Sequence, residues 1–246
     1  MNFSGISQRS LVGRLLRFPL KLFPDGTEVR ILQGTLRGKK WIIGSGVHGY
    51  WLGSFEYDKR RLFERLIKKG DVVYDIGAHV GFYTILSAEL VGATGYVYAF
   101  EPLPINFCYL NKHIEINKIS NVELIHAAVY SESSRLYIKE GPESSMGQIA
   151  QEGDIKVESI RLDDFALKGE VQKPDFIKID VEGAELHVLE GMENIIESFQ
   201  PTISLATHGY EVHKKCIKLL LSFDYEIRAI DGKDIDKSGD IIASRH

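Results

Sequence analysis

The sequence predicts an α/β protein with a doubly wound, mostly parallel sheet and a small N-terminal extension. From residue 71 onward, short apolar segments alternate with amphipathic ones, the pattern of a parallel sheet covered by helices on both faces. A glycine-containing turn follows the first apolar segment, and acidic side chains follow others. In such sheets ligands bind beyond the carboxyl ends of the strands. We therefore expect the functional residues just after the strands.

Two short strands at 29–32 and 40–43 and a helix at 56–69 are expected before the alternating region, with Gly70 ending the helix. The strands that follow are predicted at 71–76, 96–100, 122–129, 176–179, 202–206, 225–230 and 240–243. Helices are predicted at 81–91, around 107–114, and at 163–167, 185–199 and 213–223. Two extended runs, 135–139 and 155–162, predict an inserted hairpin.

Length and composition fit one domain at 56–246 with an extension at 1–55, because the chain has 246 residues, 44% hydrophobic and 26% charged. The net charge of -4 disfavours nonspecific binding of nucleic acid. The two cysteines are isolated and have neither a disulfide pattern nor a zinc-ligand spacing, which predicts a reducing, cytoplasmic location. No apolar run approaches the roughly 18–20 residues that cross a bilayer.

The first 24 residues differ in character, because they contain four basic side chains, no acidic one and interspersed apolar residues. A secretory signal would have a longer apolar core and a small-residue cleavage site. We favour a helix that packs on the domain or on a partner. Peripheral contact with an anionic membrane surface is the alternative.

Residues 71–84 form the strongest candidate for a cofactor site, since a buried strand runs through a glycine turn into a helix. Gly77 and Gly81 allow a tight turn and a close approach to a ligand. The turn reads G-A-H-V-G and lacks the G-x-G-x-x-G pattern of dinucleotide sites. Asp75 would repel a diphosphate, whereas it suits the cationic aminoacyl part of S-adenosylmethionine, directly or through water. A purely structural capping role is the alternative.

Glu101 ends the next predicted strand, at the position from which a carboxylate accepts both hydroxyls of an adenosine ribose. Together with Asp75 and the glycine spacing, it favours S-adenosylmethionine over NAD. Ala127 and Ala128 follow the third strand and leave room for a flat base. They are equally compatible with being small core residues.

These residues resemble the FkbM-type family of class I S-adenosylmethionine-dependent methyltransferases. The matching segments are D-I-G-A-H-V-G at 75–81, F-E-P at 100–102 with Asn106, L-D-D-F at 162–165, I-K-I-D-V-E-G-A-E at 177–185 and L-E-G at 189–191. The resemblance implies a sheet of seven strands whose last two form an antiparallel hairpin. It also implies methyl transfer to an oxygen, often on a sugar, polyketide or other small metabolite. We expect the cofactor to bind Asp75, Gly77, Ala78, His79, Gly81, Phe82, Glu101, Pro102, Asn106, Ala127, Ala128 and Asp180.

The chain departs from the family pattern at two positions. His79 stands where the family usually has Asn. Ala206 precedes His208 by two positions, where the family often has an acidic residue. The second departure removes the expected acidic partner of the histidine.

Asp180 and Glu182 follow the fourth predicted strand and His208 the fifth, so these three are the candidate catalytic residues. A hydroxyl acceptor must lose its proton, which calls for a base or a Lewis acid. We favour Asp180 or His208 as the base. The less favoured alternatives are a divalent metal bound by all three, and carboxylates that only shape their loop. Lys178 is expected to pair with an acid inside the sheet, and Glu185 to favour the helix dipole.

Two other functions stay open at this point: a noncatalytic module that binds an adenosine cofactor in a biosynthetic assembly, and an NAD-linked oxidoreductase. A nucleic-acid methyltransferase is disfavoured by the net charge and by the lack of an Asn-Pro-Pro-Tyr motif. The expected partner is therefore a small molecule with a hydroxyl group. We expect the region before the core and the insertion around 144–147 to choose that acceptor.

Overall fold

The computed structural model of the chain describes residues 24–140, 147–150 and 153–245. The basic N-terminal segment and most of the insertion at 140–152 lie outside these ranges, so the expectations about membrane contact and acceptor choice there stay predictions. Within the described ranges, no helix combines the length and the apolar character needed to cross a membrane.

The extension forms a two-stranded antiparallel sheet and a short helix. Strands β1 (Glu28–Arg30) and β2 (Lys40–Ile42) pair, and helix α1 (Gly49–Leu52) follows. Helix α2 (Tyr57–Leu66) begins the domain predicted at 56–246. Helix α2 ends three residues before its predicted end, because Ile67 adopts an extended conformation that buries its side chain.

The remaining elements alternate as predicted. The strands are β3 (Val72–Ile76), β4 (Tyr96–Phe100), β5 (Val122–Ile125), β6 (Ala128–Val129), β7 (Arg135–Glu140), β8 (Gly147–Ala150), β9 (Ile155–Ile160), β10 (Phe176–Ile179), β11 (Thr202–Ala206), β12 (Glu226–Ala229) and β13 (Asp240–Ser244). The helices are α3 (Phe82–Val91), α4 (Pro104–Ile116), α5 (Leu162–Leu167), α6 (Glu185–Glu190), α7 (Glu193–Phe199) and α8 (Tyr210–Ser222).

The main sheet has seven strands in the order β12-β13-β11-β10-β3-β4-β5. The strands from β11 to β5 are parallel, and β13 runs antiparallel to both β11 and β12. This confirms the predicted doubly wound sheet and its antiparallel terminal hairpin. All residues of β3 and β10 are buried, as expected of strands covered on both faces. The strand order reverses between β3 and β10, which is where such a sheet forms its ligand crevice.

The predicted strand at 122–129 is wrong in its second half. The chain leaves the main sheet after Ile125, where Ala127 N–H donates to the Ile125 carbonyl in a tight turn. Strand β6 then pairs with β9 in a second sheet with the order β6-β9-β7-β8. The predicted hairpin is therefore incomplete, since β7 pairs with β8 on one side and β9 on the other.

The predicted helix at 185–199 is broken into α6 and α7 at Gly191. A side chain at position 191 would collide with the Tyr130 carbonyl, so the chain turns where only glycine fits. Asp163 then caps α7, because its carboxylate accepts hydrogen bonds from Asn194 N at 3.2 Å and Ile195 N at 3.1 Å. The L-D-D-F segment thus supplies a structural cap.

His113 joins the extension to the domain. Its Nε2 accepts a hydrogen bond from Ile42 N at 3.0 Å, its Nδ1 donates to the Val80 carbonyl at 2.7 Å, and its ring stacks on Trp41. Burial lowers the pKa of His113 to about 4, so the ring is neutral. Ile31, Leu36, Trp41, Ile43 and Trp51 share one hydrophobic cluster with residues of β3, α3 and β4, which makes the extension part of the domain core.

Replacing His113 with Phe should destabilise the protein by about 2–4 kcal/mol, because two buried backbone groups lose their partners at about 1–3 kcal/mol each. The phenyl ring retains the contact with Trp41. Chemical denaturation measures the change. Lys112→Ala, at an exposed position of the same helix, is the control and should stay within about 0.5 kcal/mol of the wild type. An equally small change for His113→Phe would contradict the bridging role.

Candidate functional site

A cavity of about 780 Å³ opens at the carboxyl ends of β3, β4, β10 and β11. This volume lies within the range of small-molecule sites. Residues of the extension, among them Tyr50 and Phe55, form one wall of the cavity, and the loops after the strands form the other. The predicted position of the site beyond the strand ends is therefore where the structure has its cavity.

The glycine turn lies tightly against the loop after β10. Gly77 has a φ of 77°, and a side chain there would collide with the carbonyl of Asp180. His79 has a φ of 51°, in the left-handed region that Asn, Asp and His adopt more readily than other residues. This explains physically how His79 can stand where the family usually has Asn. Ala78, His79 and Phe82 all line the cavity.

Asp75 and Gly81 do not line the cavity, which corrects two of the expected contacts. Asp75 is fully buried beneath the turn, where its Oδ1 accepts from Lys178 Nζ at 2.9 Å and its Oδ2 from Thr84 Oγ1 at 2.6 Å. It therefore acts on the cavity only through its neighbours. Gly81 is required for packing, since a side chain there would run into Leu110 of α4. The predicted pairing of Lys178 with an acid inside the sheet is confirmed.

Glu101 lines the cavity with only 4% of its surface exposed. Its carboxylate accepts hydrogen bonds from His79 N at 2.8 Å, Leu103 N at 2.9 Å and Asn106 Nδ2 at 3.2 Å, which fix its orientation. Burial raises the pKa of Glu101 to about 7 despite these donors. The expected neighbours Pro102, Asn106, Ala127 and Ala128 also line this part of the cavity.

The three candidate catalytic residues converge. His208 Nε2 lies 3.5 Å from Glu182 Oε2 and 4.0 Å from Asp180 Oδ1. One ligand atom from each of the three lies within 4.8 Å of the others, a spacing that a divalent ion would also accept. His208 Nδ1 faces the other way and donates to Glu185 Oε1 at 2.8 Å. Its Nε2 is consequently the nitrogen that faces the cavity.

Charges around the cluster set its protonation. The hydrogen bond to Glu185, aided by the nearby carboxylates, raises the pKa of His208 to about 9. Burial alone would raise the pKa of Asp180, but the positive charges of Lys178, Lys59 and His208 outweigh it and hold this pKa below its ordinary value. In the free protein at neutral pH, Asp180 is therefore ionised and His208 protonated.

Glu185 and Lys59 belong to the site in the structure, although the sequence predicted neither as a site residue. Glu185 is fully buried and orients His208, so it supplies the acidic partner that is absent at position 206. Glu185 and His208 are 23 positions apart, which hides this partnership in the sequence. Lys59 is 6% exposed, and its Nζ lies 2.9 Å from Asp240 Oδ1 and 3.7 Å from Asp180 Oδ2. The only indication in the sequence is that Lys59 lies four positions before the buried Phe63, on the same face of the helix.

Aromatic side chains line the cavity together with the carboxylates. The rings of Tyr50 and Phe55 each lie 5.3 Å from the ring of Phe82, measured between centroids. Tyr83 also lines the cavity, and its hydroxyl donates to Glu56 Oε2 at 2.6 Å. The cavity thus offers a ligand both aromatic rings and acidic groups.

Glu185→Gln should lower the pKa of His208 from about 9 toward the ordinary value of about 6.5, because the charged hydrogen-bond acceptor is lost. An NMR titration of the histidine ring protons measures this, with His208→Asn used to assign the resonance. Glu190→Gln is the matched control, since Glu190 contacts His187 instead. A wild-type His208 that titrates near pH 6.5 would contradict the geometry.

Comparison with known proteins identifies the family of the chain. The model of the methyltransferase FkbM domain matches residues 75–227. The hexuronic acid methyltransferase AglP of Haloferax volcanii is 30% identical over 145 residues, which are 58% of this chain and 59% of that protein. The 31-O-demethyl-FK506 methyltransferase FkbM of Streptomyces tacrolimicus is 26% identical over 162 residues, 52% of this chain and 62% of that protein. The chain thus spans about three fifths of the length of these relatives.

Two crystal structures share the fold. A methyltransferase FkbM from Methylobacillus flagellatus superposes with a TM-score of 0.52 at 20% identity, over 72% of this chain and 44% of that one. An O-methyltransferase from Thermotoga maritima superposes with a TM-score of 0.50 at 12% identity, over 92% and 80% of the two chains. With the family model matching well over half of its length, the chain belongs to the FkbM family of methyltransferase domains.

Proposed function

We propose that this protein transfers the methyl group of S-adenosylmethionine to a hydroxyl oxygen of a small molecule. The observation that carries the proposal is the charge of the cavity. Five carboxylates line it, against two lysines and the protonated His208; the acids are Glu56, Glu101, Asp180, Glu182 and Asp240, and the lysines Lys59 and Lys178. A negative cavity attracts a sulfonium cation and repels the diphosphate of NAD. Asp75 does not reach the cavity and is not part of this charge.

Glu101 is the proposed anchor for the adenosine. Its fixed carboxylate suits two ribose hydroxyls, in the way that an acid at the end of the second strand binds a ribose in related sheets. Ala127 and Ala128, one strand further, leave room for the adenine ring. From there the cofactor would extend over the Gly77 turn toward Asp180.

The acceptor class is supported by the relatives. One is named a hexuronic acid methyltransferase and the other a 31-O-demethyl-FK506 methyltransferase, so a sugar and a polyketide are the two models for the acceptor. The rings of Tyr50, Phe55 and Phe82 suit the apolar face of a ring, and the carboxylates that line the same cavity suit its hydroxyls.

His208 is the proposed base. S-adenosylmethionine would supply the methyl group, carried on a positively charged sulfur. A like charge in the same cavity disfavours the protonated ring, so with the cofactor bound the pKa of His208 would fall and its Nε2 would become free to accept a proton. Nε2 would then take the hydroxyl proton as the acceptor oxygen bonds to the methyl carbon and the carbon–sulfur electron pair stays with sulfur. Glu185 stabilises the imidazolium that results.

A divalent metal on Asp180, Glu182 and His208 stays the less favoured alternative. Lys59 and the protonated His208 already compensate the carboxylates of this cluster, so a cation is not needed to hold them together. Turnover that is insensitive to a chelator is the corresponding expectation.

Calorimetric titration distinguishes the cofactor classes. S-adenosylhomocysteine should bind and NAD should not, and Glu101→Gln should weaken binding of the homocysteine compound by roughly tenfold or more, because a charged hydrogen-bond acceptor is lost.

Since burial raises the pKa of Glu101 to about 7, its ionised form dominates only above that pH. Wild-type affinity should therefore rise from pH 6 to pH 8, and the affinity of Glu101→Gln should not.

The control for this titration is Glu123→Gln, which removes an exposed carboxylate from the adjacent strand β5 and should leave binding unchanged. Binding of NAD in place of S-adenosylhomocysteine would instead establish the oxidoreductase alternative.

Methylation assays test the base. With uncharged methyl glycosides as acceptors, His208→Asn should lower kcat by about 10²–10⁴-fold. Glu185→Gln should move the acidic limb of the pH–rate profile to lower pH, because the pKa of His208 falls. His187→Asn, a substitution at the protein surface, is the control. Full activity of His208→Asn would shift the role of base to Asp180. Cofactor binding without turnover on sugar or macrolide hydroxyls would favour the noncatalytic module.

A further inference from the structure

Lys178 places a buried ammonium group at the cavity. The side chain is 3% exposed and is one of the residues that line the cavity. Its Nζ donates to Asp75 Oδ1 at 2.9 Å and to the Gly77 carbonyl at 2.8 Å. An ammonium group has three N–H bonds. In the described part of the chain the third N–H makes no hydrogen bond, although Nζ also lies over the ring of Tyr83, 5.7 Å from its centroid.

The ion pair between Lys178 and Asp75 determines whether a cationic or an anionic ligand group can bind beside Lys178 Nζ. Both oxygens of Asp75 are engaged, one by Lys178 and the other by Thr84, and the carboxylate has no exposed surface. The Gly77 carbonyl is engaged by Lys178 as well. A cationic ligand group therefore finds no free acceptor here, whereas an anionic group finds the remaining N–H of Lys178.

The strand order locates this ammonium relative to Glu101. Glu101 follows β4 and Lys178 lies on β10, with β3 between them, so the two are separated by two strand spacings, or roughly 10 Å. This inference rests on the proposed function: with the ribose at Glu101, the cofactor crosses the Gly77 turn. Its aminoacyl arm then ends between Lys178 and Asp180.

We infer that Lys178 binds the carboxylate of the aminoacyl arm of the methyl donor, while Asp180 faces the ammonium of the same arm. The arm is a zwitterion, with a carboxylate and an ammonium group. Lys178 on β10 offers a positive charge to the first, and Asp180 on the following loop offers a negative charge to the second. Asp180 remains partly exposed to the cavity, as this role requires. Lys178 is thus a binding residue: it holds the aminoacyl arm and does not contact the methyl group, the sulfur or the acceptor oxygen.

A fixed arm has a consequence for the donor sulfur. The sulfonium lies between the ribose and the aminoacyl arm, so anchors at Glu101 and at Lys178 restrain it from both sides. The methyl group is then held at a defined angle to His208 Nε2 and to the acceptor that this nitrogen deprotonates.

Three ligands separate the carboxylate from the rest of the cofactor. S-adenosylhomocysteine carries the whole arm, S-adenosyl-3-thiopropylamine lacks only the carboxylate, and 5′-methylthioadenosine lacks both charged groups. Wild-type protein should bind the first roughly ten- to a hundredfold more tightly than the second, the range expected for a charged hydrogen bond. Lys178→Met should abolish this preference and leave the affinity for the other two ligands unchanged.

Lys178→Met alone leaves Asp75 buried without its partner, which destabilises a protein strongly. The double variant Asp75→Asn/Lys178→Met removes both charges and is the version to use if the single variant does not fold. Asp75→Asn is the matched control, because it keeps the ammonium group and should keep the preference for S-adenosylhomocysteine.

The outcomes separate the inference from the proposed function. Equal weakening of all three ligands would reduce Lys178 to a structural role, and a preference that persists without Lys178 would assign the carboxylate to other groups. Either result overturns the inference and leaves the methyltransferase intact. A wild-type protein that binds none of the three ligands overturns both.

Discussion

One buried ion pair holds together the part of the sheet on which the site depends. Asp75 on β3 and Lys178 on β10 meet where the strand order reverses, and each makes a second contact: Asp75 to Thr84 of α3 and Lys178 to the Gly77 carbonyl. Strand, turn and helix are thereby fixed to one point. Removal of one partner would leave an uncompensated buried charge, at a cost of about 3–5 kcal/mol. The pair therefore acts as a constraint on geometry more than as a source of stability.

Compensation of charge extends outward from this pair. Lys59 lies among three carboxylates, and His208 lies among Asp180, Glu182 and Glu185. These positive charges reduce the electrostatic repulsion between the carboxylates, so several acidic side chains can line one cavity. The remaining excess of negative charge is what a cationic donor would neutralise on binding.

Site residues that come directly after a strand can be identified from the sequence. Glu101, Asp180, Glu182 and His208 line one cavity because parallel strands end at one edge of the sheet, which pattern alone reveals. Asp75 is misplaced by the same logic, since it lies inside a strand and points under the helix that covers it. The pairing of His208 with Glu185 depends on how α6 packs beside β11, and no spacing in the sequence encodes that. The break at Gly191 likewise depends on a distant carbonyl, that of Tyr130.

The two walls of the cavity come from distant parts of the chain. Tyr50 and Phe55 belong to the extension, which His113 ties to the core, whereas Glu101, Asp180 and His208 follow strands of the sheet. Tyr50 and Phe55 are held by aromatic contacts with Phe82, whereas His208 is held by carboxylates that follow β10. On the proposed function, a new acceptor would be accommodated by substitutions in the extension, and the groups that bind the donor would keep their places in the sheet.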